Sequence, residues 1–123
     1  NEWEAKVLMG NLKLSASELA KKYHEMGAKF TCVTLGENGC VVATDKGVKP
    51  FVAFSVDEVD ATGAGDSFCG ALAYGIIQNW DLNRTIKFAS AAGAIACTKQ
   101  GARNSIPTIS EVKKFLKEKN ETN

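Results

Sequence analysis

The junction Val59-Asp-Ala-Thr-Gly-Ala-Gly-Asp-Ser-Phe-Cys-Gly70 constrains the fold of this chain more than any other stretch. Gly63, Ala64 and Gly65 stand directly before Asp66, and an apolar run of helical character follows. Glycines bare the backbone and let it adopt dihedrals that other side chains forbid. A helix starting there leaves its first N–H groups unpaired, and its dipole adds positive potential at the same end. Such a mouth attracts an anion. A plainer reading stands beside it: a tight connection into a helix, with Asp66 as a first-turn acid that suits the dipole.

The pattern on either side alternates between helix and strand. Ala5 to Met9 reads as a short helix stopped at Gly10. Ser15 and Glu18 form a capping box, followed by an apolar stripe of Leu19, Ala20, Tyr23 and Met26 that Gly27 closes. Residues 29–35 suit a strand buried on both faces. Gly36 to Gly39 turn the chain, and Cys40 to Thr44 read as its antiparallel return. Asp45 to Gly47 turn again into a third strand over 48–54, where Pro50 points to a sheet edge. Beyond the junction, Phe68, Cys69, Leu72, Ala73, Ile76 and Ile77 are expected on one buried helix face. The next helix has Asn83 as its expected cap and Gly101 as its stop. The many alanines and glycines of these two helices predict close packing. A last amphipathic helix opens with a Thr108–Glu111 capping box. Strands alternating with helices over 123 residues predict one layered α/β domain.

Composition narrows the function. A net charge of +1 argues against a polybasic grip on nucleic acid. The longest apolar runs are too short to cross a bilayer. Cys32, Cys40, Cys69 and Cys97 each lie in apolar surroundings with no CxxC pair, so buried thiols in a reducing cytoplasm are expected. His24, the single histidine, is expected to be solvated among Lys21, Lys22 and Glu25, and Trp3 and Trp80 to serve packing or subunit contact. The basic run at 113–119 is read as the solvated face of the last helix. The start at Asn1, without Met and directly in a motif, suggests a piece of a longer protein.

A carboxylate beside an anion-attracting mouth is costly unless it has work to do. Phosphoryl transfer supplies that work: the amides neutralise charge on the moving group while the carboxylate accepts the proton of the attacking hydroxyl. The chain has no GxxxxGK[ST] loop and lacks the HRD and DFG signatures of protein kinases.

The run Val59 to Leu72 resembles the C-terminal signature of the PfkB/ribokinase family of carbohydrate kinases. Asn1 to Gly10 resembles the family's N-x-x-E segment, Val33 to Val42 its nucleotide-site strand and turn, and Gly101 to Pro107 the ribokinase tail. The resemblance covers essentially this whole chain but only the C-terminal portion of a family member. It implies a ribokinase-like α/β/α sandwich with a mainly parallel sheet and an antiparallel hairpin.

The resemblance also implies roles. Asp66 would be the catalytic base contacting the sugar hydroxyl, and Gly63, Ala64 and Gly65 the anion hole. Asn1, Thr34, Gly36, Gly39, Gly65 and Ser90 would contact ATP. Asn1 and Glu4 would organise Mg2+ through water, although a helix cap with a first-turn acid explains the same pair. Asp60, Thr62, Ala96, Lys99, Gly101 and Ser105 would supply oxygens to a monovalent cation, K+, although Asp60 could simply cap the following turn.

The expected activity is transfer of the ATP γ-phosphoryl group to a sugar hydroxyl in a cytoplasmic enzyme, with ribose as first substrate. Fructose, 2-keto-3-deoxygluconate and a nucleoside are rival substrates, because the family's sugar-binding residues lie mostly in the N-terminal half. A rival of another class is a non-catalytic α/β half-domain that self-associates or packs on a missing N-terminal half. The purified 123-residue chain is expected to bind nucleotide weakly and to show no sugar-dependent ATP turnover; measurable turnover in a coupled assay would overturn this.

Overall fold

The computed structural model describes residues 1–119. They form two compact units, Asn1–Ala53 and the residues from Phe54 onward. No helix among the described residues is long and apolar enough to cross a membrane.

In the first unit, α1 spans Glu2–Met9, three residues more than the apolar spacing predicts. The extension follows from capping: Asn1 Oδ1 accepts from the Glu4 N–H at 2.9 Å while Glu4 reaches back to the Asn1 nitrogen. Gly10 ends the helix at φ 67°. Helix α2 (Ala16–Glu25) has the expected Ser15–Glu18 box. Strands β1 (Thr31–Thr34), β2 (Cys40–Thr44) and β3 (Gly47–Phe51) form one sheet in the order β1-β2-β3. Both pairings are antiparallel, with Val33 opposite Val41 and Val41 opposite Pro50. The mainly parallel sheet is therefore not found among the described residues. Short turns join these strands, and a parallel pair needs a long crossover.

Pro50 sits on an edge strand, as expected. Burial falls on the central strand rather than the first. In β2 residues 40–43 are all buried, whereas in β1 only Val33 is, so β1 is not covered on both faces. Leu19 and Ala20 of α2 pack with Val33, Val41 and Ala43. Met26 lies outside this core, 74 % exposed, because α2 ends before it. Tyr23 donates its hydroxyl to the Ala5 carbonyl at 2.9 Å, tying α2 to α1. His24 is not solvated: its ring nitrogens lie 2.7 Å from the Ala28 carbonyl and 3.0 Å from Asp45 Oδ1, linking the end of α2 to the β2–β3 turn.

The second unit is helical. Helices α3 (Ala64–Ile77) and α4 (Leu82–Cys97) pack along each other, and α5 (Ile109–Glu118) lies on α4. The expected buried face of α3 is corrected. Ser67, Phe68 and Gly75 are buried, with Ala71 and Tyr74 against the core, whereas Cys69 is exposed and Ile76 and Ile77 are 47 % and 74 % exposed. This helix is apolar nearly all round, so hydrophobicity alone does not choose its face; close approach at Gly75 does. A Cβ there would lie 2.8 Å from Thr85 Cγ2.

The cap of α4 lies two residues before the expected Asn83: Asp81 Oδ1 accepts from the Arg84 N–H at 3.0 Å. It ends at Thr98, whose hydroxyl donates to the Ile95 carbonyl at 2.7 Å, so Gly101 lies in the following loop. Trp80 packs edge-on to Tyr74 and Phe88 and under the Arg84 guanidinium, as a packing residue. Trp3 is 66 % exposed. The Thr108–Glu111 box forms as expected.

Gly75→Val is expected to lower stability by roughly 1–3 kcal/mol through overpacking against Thr85. Gly70→Ala, where an added Cβ meets nothing, should raise it by up to about 1 kcal/mol. Urea unfolding midpoints check both; equal midpoints for wild type and Gly75→Val would show that the two helices separate freely.

Candidate active site

Gly63 caps α3 at φ 82°, ψ −2°, a left-handed conformation that favours glycine. Space is tight as well: an added Cβ would lie 3.2 Å from the Ala102 Cα and carbonyl oxygen and 3.3 Å from Ser105 Oγ, so these neighbours would have to give by a few tenths of an ångström. Asp66 follows in the first turn of α3, exposed, on the wall of a cleft of about 320 Å³.

The open amides differ by one residue from the expected set. Ala64 donates its N–H to the Ala61 carbonyl at 3.1 Å, closing a turn, so it is not an open donor. Among the described residues, no carbonyl accepts from the N–H groups of Gly63, Gly65 or Asp66. The acid thus sits on the same helical turn as two of the open donors. A hydroxyl brought to that carboxylate lies beside an anion held by those amides.

The mouth is held by a second loop. Val59 and Asp60 both donate N–H groups to the Cys97 carbonyl, at 2.8 and 3.1 Å. Asp60 then uses both carboxylate oxygens: Oδ1 accepts from the Thr62 N–H and Oδ2 from the Gly101 N–H, each at 2.9 Å. Ser105, fully buried, donates its hydroxyl to the Ala102 carbonyl at 2.6 Å and lies 3.4 Å from the Thr62 carbonyl. Hydrogen bonds from the Thr62 side chain, the Gly101 amide and the Thr62 amide hold the Asp60 carboxyl at about 2. The residues singled out for a cation thus come together in part. Asp60, Thr62, Gly101 and Ser105 share this knot, a set rich in carboxylate and carbonyl oxygen that suits a hard cation. The Ala96 carbonyl already accepts from the N–H groups of Thr98 and Lys99, and the Lys99 side chain pairs with Glu111 at 2.9 Å.

The remaining residues lie elsewhere. Ser90 is half-buried on α4. In the first unit Thr34 ends β1, and Gly36 to Asn38 form one 3-10 turn. Gly39 has a structural reason of its own: at φ 88°, a Cβ would collide with the Phe51 carbonyl oxygen and lie 2.8 Å from the Ala53 nitrogen. Asn1 and Glu4 are joined in the α1 capping box.

Sequence reasoning missed Ser67. It is 6 % exposed, its hydroxyl has no hydrogen-bond partner, and it lines the cleft beside Asp66. A serine inside an apolar helix gives no signal for this.

Asp60 carries a pH prediction. Its folded pKa lies below the ordinary 3.8, so its contribution is complete above about pH 4 and is lost as pH falls through about 2. The stability difference between wild type and Asp60→Asn should therefore be constant above pH 4 and close towards pH 2 in thermal melts. A gap independent of pH across that window would refute this role.

The chain matches the model of the pfkB family carbohydrate kinases over residues 1–109. It is 35 % identical over 119 residues to a ribokinase of Haemophilus influenzae, covering 94 % of this chain and 39 % of that protein. It is 41 % identical over 121 residues to a probable fructokinase-2 of Arabidopsis thaliana, covering 93 % and 36 %. The structure of an Arabidopsis thaliana ribokinase complexed with ribose and ATP superposes with a TM-score of 0.84 at 28 % identity, covering 95 % of this chain and 39 % of that one. The chain thus spans under two fifths of the length of these relatives. With the signature run, the helix-mouth geometry and the family match in agreement, the chain belongs to the pfkB family of carbohydrate kinases and has the α/β fold of ribokinases.

Proposed function

We propose that this chain supplies the phosphoryl-transfer end of an ATP-dependent sugar kinase, with ribose as its first substrate. One observation carries the reading: a left-handed Gly63 opens α3 with unpaired amides while Asp66 stands in the same first turn. The amides of Gly63, Gly65 and Asp66 bind the transferring phosphoryl group and offset its developing charge. The Asp66 carboxylate accepts the proton of the attacking sugar hydroxyl. The relative bound to ribose and ATP supports this substrate pair. The fructokinase relative, at higher identity over a similar span, keeps fructose as a second reading.

On the first unit, Asn1, Thr34, Gly36 and Gly39 are assigned to ATP by the family resemblance; on the second, Gly65 and Ser90 are. Glu4 and Asn1 would hold Mg2+ through water, which fits a cation that keeps most of its hydration shell. The knot of Asp60, Thr62, Gly101 and Ser105 would hold K+ beside the mouth, leaving Ala96 and Lys99 the weaker members of that set. Bound there, the two cations would offset phosphate charge.

The test is Asp66→Asn in a kinase that contains this chain. We expect kcat to fall by roughly 10²–10⁴-fold with ATP affinity retained. Normal turnover in that variant would overturn the assignment. A panel of ribose, fructose, 2-keto-3-deoxygluconate and a nucleoside, compared by kcat/KM, separates the substrate readings.

A further inference from the structure

The two strands before and after the Gly36–Gly39 turn each carry a cysteine. Cys32 stands opposite Val42, and Cys40 opposite Thr34. The two cysteines are thus diagonal neighbours on one face of an antiparallel pair, the face opposite Val33, Val41 and Ala43. Leu35 donates its N–H to the Gly39 carbonyl, so the alternation of the ladder places Thr34–Cys40 and Cys32–Val42 at its closer, non-hydrogen-bonded positions. Hydrogen bonding with the Cys32 side chain draws the Cys40 thiol below its ordinary pKa against the opposing effect of burial.

Diagonal positions hold backbones about 7–8 Å apart, at or beyond the reach of an unstrained disulfide. One atom inserted between the sulfurs relieves that mismatch. Zinc would need four ligands, and among the described residues no group of three or more metal-ligating side chains exists. Two soft thiolates alone suit copper(I).

We propose that Cys32 and Cys40 form a two-coordinate site for copper(I) across β1 and β2. Each thiol releases its proton to water, two copper–sulfur bonds form, and no electron is transferred. The product carries one negative charge. Lys49 stands opposite Val42 on the same face, its ammonium 4.9 Å from the ring centre of Phe51, which itself stands opposite Cys40. The sheet face that carries both cysteines therefore also carries a positive charge. Cys40 is buried and Cys32 half-buried, so the ion enters at Cys32.

The experiment is anaerobic titration of the reduced protein with copper(I) against a chromogenic chelator, with proton release recorded. Wild type, Cys69→Ser and Cys97→Ser are expected to bind one ion per chain and release two protons. Cys32→Ser, with native circular dichroism, is expected to bind at least ten-fold more weakly. Should Cys40→Ser fail to fold, Cys32→Ser carries the test alone. Equal binding by wild type and Cys32→Ser overturns the proposal, as does quantitative formation of a Cys32–Cys40 disulfide with oxidised glutathione in preference to ion binding. Neither result bears on phosphoryl transfer, which Asp66→Asn tests separately.

Discussion

The bond from the Gly101 amide to the Asp60 carboxylate is the interaction on which the helix mouth of the second unit depends. It ties two loops 41 residues apart in sequence. Once they are tied, Ala102 and Ser105 crowd Gly63, whose φ of 82° already favours a residue without a Cβ. The left-handed turn at Gly63 then sets where α3 begins and which amides stay open. The mouth is thus a product of long-range hydrogen bonding as much as of a glycine-rich sequence. The buried hydroxyl of Ser105 adds a second tie to the same loop and fixes the Ala102 carbonyl.

Local chemistry was legible in the sequence. Both expected capping boxes, the Gly36–Gly39 turn, the antiparallel return and the edge position of Pro50 all appear, because each depends on residues within a few positions of one another. The start of a helix at Gly63, with Asp66 in its first turn, was legible for the same reason. What failed depended on partners far along the chain. The buried face of α3 was misread because Ile76 and Ile77 are more apolar than Gly75, yet Gly75 alone permits contact with Thr85. Ala64 is not among the open amides because the Ala61 carbonyl takes its N–H, a pairing that sequence spacing does not announce. His24 looked solvated among its helical neighbours; its partner Asp45 is 21 residues away.

Several positions serve architecture whether or not they also meet a ligand. Gly39 is required by the close approach of the Phe51 backbone, and Asn1 and Glu4 by the start of α1. Replacing any of them would disturb local backbone first. Asp66 differs: it is exposed, and apart from its place in the first turn of α3 it has no comparable structural duty. That asymmetry makes the acid the cleanest position at which to separate chemistry from folding.

Pro50 on β3 has a consequence for behaviour at high concentration. A strand at the margin of a sheet offers a ladder of unpaired backbone groups to any neighbouring polypeptide. Proline removes one donor from that ladder, and the adjacent Lys49 adds a charge that an incoming strand would have to accommodate. This border of the sheet is consequently a poor template for fibril-like stacking.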